Sequence, residues 1–216
     1  MKEKIYPDSG VELSPFISRH YERIMALGSL GHYHRSVQRA IQAMNIQPED
    51  QILDLGCGTG SNAALMSGYL GSSGGVLGMD ISEEMRIQFQ KRFRQDTRFR
   101  FLDHRIDQLF DLGMTFDKVF IAFVIHGFPH AVRRVVIENV KKHLKAGGSF
   151  FILDYSEFDM ASMPALHRFI FKTVECRYAF DYIERDWKSI LAEEGFGDFR
   201  EHFYLRRYVR LLEGIL

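Results

Sequence analysis

The chain has 216 residues, enough for one α/β domain that buries its own core without disulfides or metals. Lys and Arg total 28 and Asp and Glu total 28, so the basic surplus that nucleic-acid enzymes set against phosphates is missing, and no nucleic-acid partner is expected. Two cysteines, Cys57 and Cys176, with no Cys/His run at zinc spacing, exclude a disulfide framework and a metal site readable from spacing.

Met1 to Gly10 is charged and lacks the apolar stretch of a secretory leader, so a cytoplasmic location is expected. Residues 15–44 read as helical, with Gly28 and Gly31 marking a break. Ile24, Leu27 and Leu30 share one face, and Val37, Ala40, Ile41 and Met44 share another. Residues 1–48 are thus a helical cap segment before a domain spanning 49–216, the whole forming a single domain. Residues 51–55 form a short buried strand, 56–60 a glycine loop and 61–70 a helix. Residues 76–80 are a second strand, and Ser82 caps the next helix, with Glu83 and Glu84 in its first turn, where the helix dipole favours anions. Residues 99–102 are a third strand. Residues 117–125 are a fourth, apolar on both faces as a central parallel strand must be. They hold the longest apolar run, which is far too short to span a bilayer. Residues 131–144 form a helix stopped by Gly147 and Gly148, and 149–154 a fifth strand. Residues 157–183, rich in aromatic and basic side chains, break the alternation as an inserted helical cap. A helix over 186–194 and an antiparallel strand pair, 198–204 and 208–212, complete the chain. The expected fold class is α/β: a Rossmann-like doubly wound sheet, mostly parallel, with an antiparallel C-terminal pair, N-terminal helices and a helical cap. Ligands of such sheets sit beyond the carboxyl ends of the strands.

The stretch from Ile52 to Gly60 runs a buried strand into three alternating glycines and a helix, and Asp80 ends the next strand. Glycines let the chain turn sharply and let a ligand approach the backbone, the helix start offers free N–H groups, and a carboxylate at Asp80 can accept from both hydroxyls of a ribose. A dinucleotide motif would place its third glycine one residue later, and a pyrophosphate disfavours a carboxylate such as Asp54; a sulfonium cofactor with an amino group accepts one. The stretch with Asp80 closely resembles the nucleotide-binding motif of class I S-adenosylmethionine-dependent methyltransferases. Phe116-Asp117-Lys118-Val119, Leu144-Lys145-Ala146-Gly147-Gly148 and Ala192-Glu193-Glu194-Gly195-Phe196 match further motifs of that family.

The resemblance implies S-adenosyl-L-methionine as cofactor. It implies that Gly56, Gly58 and Gly60 line it, that Asp54 lies near its amino-acid end, that Asp80 holds the ribose and that Ile81 covers the adenine. Cys57, Met85, His104, Arg105, Ile106 and Phe123 complete the implied cofactor contacts. Arg105 is a departure: many relatives place there an Asp that accepts from the adenine amino group, which Arg cannot do. Asp103, backbone carbonyls or a changed preference would have to compensate. Ile24 to His32, Leu153-Asp154-Tyr155-Ser156 and the cap resemble the ubiquinone/menaquinone C-methyltransferases, although that group's Arg-Asn pair after strand four is replaced by Ile125-His126-Gly127-Phe128.

His126, at the carboxyl end of the fourth strand, is the candidate catalytic residue: a neutral imidazole there can take a proton from a phenol, an amine or an enol carbon. Asp107 and Asp154 are further base candidates, and Asp107 equally suits a helix cap. Tyr21, His32, Tyr33 and His34 suit either a pocket cover or plain helix packing. His32 and His34 are two apart, which on a helix points them to different faces, and no metal is expected. Phe169, Phe171, Tyr178, Phe180 and Tyr182 suit an apolar or aromatic small-molecule acceptor, or a cap packed on its own sheet. With His167, Arg168, Lys172 and Arg177 among them, peripheral contact with a membrane surface also stays open. Arg206, Arg207 and Arg210 read as a basic patch or a solvated strand face. Monomer and homodimer are equally compatible with the sequence. The expected function is methyl transfer to a small apolar or aromatic acceptor. Quinone-ring C-methylation and a non-catalytic cofactor-sensing or partner-binding module are the alternatives.

Overall fold

The computed structural model describes Ser9 and residues 32–216. In chain order the elements are α1 (His32–Ala43), β1 (Gln51–Leu55), α2 (Ser61–Met66), β2 (Gly75–Asp80), α3 (Glu83–Arg92), β3 (Phe99–Asp103) and β4 (Phe116–Ala122). There follow α4 (His130–His143), β5 (Leu144–Tyr155), α5 (Ala165–Val174), α6 (Arg177–Ile183), α7 (Trp187–Glu193), β6 (Gly197–Tyr204) and β7 (Val209–Ile215). Seven strands make one sheet in the order β3-β2-β1-β4-β5-β7-β6. The first five are parallel, and β7 runs antiparallel to both β5 and β6. This is the expected α/β class. No helix among the described residues is long and apolar enough to cross a membrane.

Strand alternation explains the two layers of core. Leu53, Leu55, Val119, Ile121, Phe150 and Ile152 face one side and pack with Val136, Ile137 and Val140 of α4. Ile52, Val76, Phe120, Phe151 and Leu153 face the other and pack with α1, α2 and Phe89 of α3. Successive residues of a central strand point to opposite faces, so a strand covered on both sides must be apolar throughout. The expected helical face Val37, Ala40, Ile41 and Met44 is the buried face of α1. The first half of the expected N-terminal helices, with Tyr21, Gly28 and the stretch from Ile24 to Gly31, lies outside the described residues, as do the side chains of His32 and Tyr33; His34 is exposed.

Several boundaries differ from expectation for local reasons. The fourth strand stops at Ala122 because Phe123 turns to φ 53°, and Ile125–Gly127 forms a single 3-10 turn. Helix α2 stops at Met66, ahead of Gly68 and Gly71. The fifth strand starts at Leu144, which pairs with Phe116 before a register shift. The cap is helical as expected, with α5 and α6 preceded by a 3-10 turn at Met160–Ser162.

Candidate active site

The loop after β1 is tied to the end of β2: the N–H groups of Gly56 and Cys57 both donate to the Met79 carbonyl, at 2.8 and 3.0 Å. Gly56 and Gly60 hold φ values of 74° and 78°, in the left-handed region. Neither has room for a side chain. A Cβ would lie 2.6 Å from Val124 Cγ2 at Gly56 and 2.7 Å from the Phe89 ring at Gly60. Gly58 is different, since a Cβ there would meet only Met85 Sδ at 3.8 Å. Its N–H donates to Asp80 Oδ2 at 2.9 Å, and Ser82 N–H donates to Asp80 Oδ1 at 2.9 Å. Burial pushes the Asp80 carboxyl up, against these backbone hydrogen bonds. Ser82 caps α3, accepting from Met85 N–H at 3.4 Å, as its position in the sequence predicts.

Asp54 is fully buried and neither of its oxygens has a hydrogen-bond partner. Burial, and secondarily the charge of Asp80, pushes its pKa up to about 7. A buried polar group without a partner is costly. Ile81 is exposed and Met85 buried on either side of the α3 cap. The Cys57 side chain is buried and turned towards Gly78, where a Cβ would strike its Sγ at 2.6 Å, so this residue offers the site backbone and no thiol.

Beyond β3, His104 N–H donates to the Asp80 carbonyl and its ring Nδ1 lies 2.8 Å from the Arg105 carbonyl. Arg105 grips Asp107 through Nε at 2.8 Å and through a terminal nitrogen. Asp107 thus serves this pair and caps no helix, which disfavours it as a base. Asp103 stands exposed beside Asp80 in the β2–β3 register. Ile106 is buried, and Asn139 of α4 pins the loop, donating to the carbonyls of Ile106 and Gln108 while accepting from Phe110 N–H.

The second half of the site grows from the turn after β4. Val124 seats on Gly56, and two residues later His126 points its ring at Asp154 of β5. His126 Nδ1 lies 2.7 Å from Asp154 Oδ1, which also accepts from Tyr155 N–H at 2.8 Å, while Oδ2 accepts from His126 N–H at 3.3 Å. The other ring nitrogen, Nε2, faces Glu175 Oε2 at 3.6 Å, and the Tyr155 hydroxyl donates to Glu175 Oε1. Burial alone would pull the His126 pKa down; the charge and hydrogen bond of Asp154, with the charge of Glu175, push it up and prevail. Aromatic rings wall this region: Tyr155 packs against His126 at 5.2 Å, against Phe171 at 5.1 Å and against Phe123 at 6.5 Å. Phe171 in turn meets Phe158 and Phe180.

Arg133 of α4 anchors the turn. Fully buried, it donates to the carbonyls of Ile125, His126 and Tyr178, pairs with Asp181 at 2.7 Å, and lies over the Tyr182 and Trp187 rings. Sequence reasoning passed over it, although a signal existed: Arg133 falls on the same helical face as Val136, Ile137 and Val140. Glu175 and Cys176 were also passed over, because only the folded cap brings them to His126. The three arginines of the C-terminal pair line one cleft together with Glu157 and Glu201, but in different states. Arg210 is buried between Glu157 and Glu201, whereas Arg206 and Arg207 sit exposed on the hairpin turn.

A family model described as a methyltransferase domain matches residues 52–148, from β1 to the start of β5. A demethylmenaquinone methyltransferase of Geobacillus kaustophilus is 27% identical over 184 residues, covering 82% of this chain and 78% of that protein. Among solved structures, a SAM-dependent methyltransferase from Aquifex aeolicus superimposes with a TM-score of 0.64 at 16% identity, covering 94% of this chain and 99% of that one. The glycopeptide N-methyltransferase MtfA, solved with S-adenosyl-L-methionine, gives 0.60 at 18% identity over 83% of this chain and 92% of its own. These likenesses bear out the fold and the resemblance read from the glycine motif. Within the matched residues, the glycine loop, Asp54 and Asp80 stand at the carboxyl ends of β1 and β2, and the His126 turn stands next to them, after β4.

Proposed function

We propose that this methyltransferase moves the methyl group of S-adenosyl-L-methionine onto a small, largely apolar or aromatic acceptor. The observation that carries the reading is Asp54. A buried, unpartnered carboxylate beside a glycine loop suits a ligand bearing an ammonium group, which the amino-acid end of this cofactor supplies. Asp80 has the position to hold the ribose hydroxyls, and Gly56, Gly58 and Gly60 let the cofactor lie against backbone. Ile81 and Met85, with the stretch from His104 to Ile106, would border the adenine, and Phe123 the side nearer the acceptor. The cofactor brings an activated methyl group on a sulfonium, so alignment supplies most of the acceleration.

What remains for the chain is to seat the acceptor and manage its proton. The rings around Tyr155 offer an apolar wall, and His126 Nε2 can take a hydroxyl or amine proton while Asp154 holds the ring from behind. A second reading is methylation of a hydroxylated quinone-type ring. The likeness to proteins named demethylmenaquinone methyltransferase favours it, as does an aromatic wall beside a histidine able to deprotonate a ring hydroxyl.

Calorimetric titration with S-adenosyl-L-methionine and, separately, NADH, with Asp80→Ala as control, tests the cofactor. Formation of S-adenosylhomocysteine with a panel of phenols, quinols and amines tests the reaction. Tight, Asp80-dependent binding of S-adenosyl-L-methionine alone, with turnover on one acceptor class, is expected. Absence of binding in folded protein overturns the reading, and binding without turnover on any acceptor moves the weight to a cofactor-sensing module.

A further inference from the structure

Three side chains of the types that bind zinc converge beside the aromatic wall. A ring nitrogen of His126, a Glu175 carboxylate oxygen and Cys176 Sγ all lie within 4.8 Å of one another. His126 comes from the turn after β4, Glu175 and Cys176 from the link between α5 and α6. Nearness of a histidine and a carboxylate amounts by itself only to an ion pair. The support behind the donors distinguishes this group. The His126 ring is committed at Nδ1 to buried Asp154, which leaves Nε2 facing Glu175 Oε2 at 3.6 Å. Glu175 is committed at Oε1 to the Tyr155 hydroxyl, which leaves Oε2 turned to His126. A carboxylate behind a ligating imidazole, and a hydrogen bond behind a ligating carboxylate, are the outer partners that fix ligand orientation in metal sites. Cys176, half-buried and free of any disulfide, adds the sulfur that a borderline-soft ion favours.

We propose that His126, Glu175 and Cys176 form a site for a divalent, thiophilic transition-metal ion, with zinc the best match. A mixed nitrogen, oxygen and sulfur set suits four-coordinate zinc, and three protein donors leave one position open. An acceptor hydroxyl or thiol bound there ionises more readily, its proton passing to solvent. Metal binding requires no base role of His126. A metal at Nε2 occupies the lone pair that a base needs, so the loaded and metal-free chains activate an acceptor in different ways.

The test is titration of the whole chain, first freed of metal by a chelator and dialysed, with Co²⁺, followed by absorption. The expected result is saturation at one ion per chain, with the visible bands of a tetrahedral ion and a sulfur-to-cobalt charge-transfer band in the near ultraviolet, both displaced by Zn²⁺. Cys176→Ser removes the charge-transfer band, His126→Ala prevents binding, and Asp154→Asn weakens it about 10- to 100-fold. Titration of the same variants with S-adenosyl-L-methionine shows that they are folded. It also separates the two proposals, since cobalt binding without cofactor binding sinks the methyl-transfer reading alone. A weak octahedral spectrum indifferent to all three substitutions overturns the metal site, as does a charge-transfer band that survives Cys176→Ser.

Discussion

Two buried aspartates at the carboxyl edge of the same sheet are treated in opposite ways. Asp154 of β5 accepts from the His126 ring, from His126 N–H and from Tyr155 N–H. Asp54 of β1 accepts from nothing and is pushed up to about 7. A satisfied buried carboxylate is a brace, because its charge is already balanced by donors and its work is to orient them. An unsatisfied one lowers stability unless a donor reaches it, which is the ground on which Asp54 is proposed to meet the ammonium group of the cofactor.

Of the two aspartates, Asp54 carries the large response to pH. Its carboxyl titrates at about 7 in the folded chain and near 3.8 when unfolded, so the unfolded state ionises first as pH rises. Stability is fullest below the lower value, falls through the window between the two, and levels off above about 7. The gap corresponds to about 4 kcal/mol. Asp54→Asn is expected to flatten that part of the stability curve in urea unfolding at several pH values while weakening cofactor binding. In the unaltered chain, affinity for S-adenosyl-L-methionine rises with pH and levels off above about 7, since the ammonium group favours the ionised carboxylate. An affinity indifferent to pH across this window sinks the assignment of Asp54.

Next in size is Arg133→Met, which removes one donor from each of the Ile125, His126 and Tyr178 carbonyls. Asp181 is partly exposed and is also held by Arg185, so the loss sits at the low end for a broken buried pair, about 3 kcal/mol in denaturant unfolding. His126→Ala is expected to lower turnover about 100-fold, the modest end for a lost proton acceptor, with the Kd of the cofactor unchanged. A change in Kd instead would place His126 in the cofactor pocket. The smallest effect belongs to Ser82→Ala. Its cap bond to Met85 is long at 3.4 Å, and about 0.5 kcal/mol of stability is expected to go, read as a small drop in Tm.

The glycine loop was legible in the sequence because its pattern is local: a strand, alternating glycines and a following strand ending in Asp80 need no distant partner to be recognised. His126 was legible only as a type of residue at a strand end. Its partners Asp154, Glu175 and Cys176 lie on other elements, so no spacing announces a group that tertiary packing assembles. The absence of metal spacing in the sequence therefore said nothing about Glu175 and Cys176. The strand pair at the C-terminus was readable from its pattern, but the insertion of β7 between β5 and β6 was not, because the order of strands depends on pairing and not on local preference.

Val124, two residues before His126, packs on Gly56, so the glycine loop and the turn that carries His126 touch directly. The two ligands are then not independent in time. A cofactor that orders the backbone at Gly56 is felt at Val124 and so at the turn the acceptor must approach, and the kinetic scheme is expected to be ordered, with the cofactor entering before the acceptor and its demethylated product leaving last.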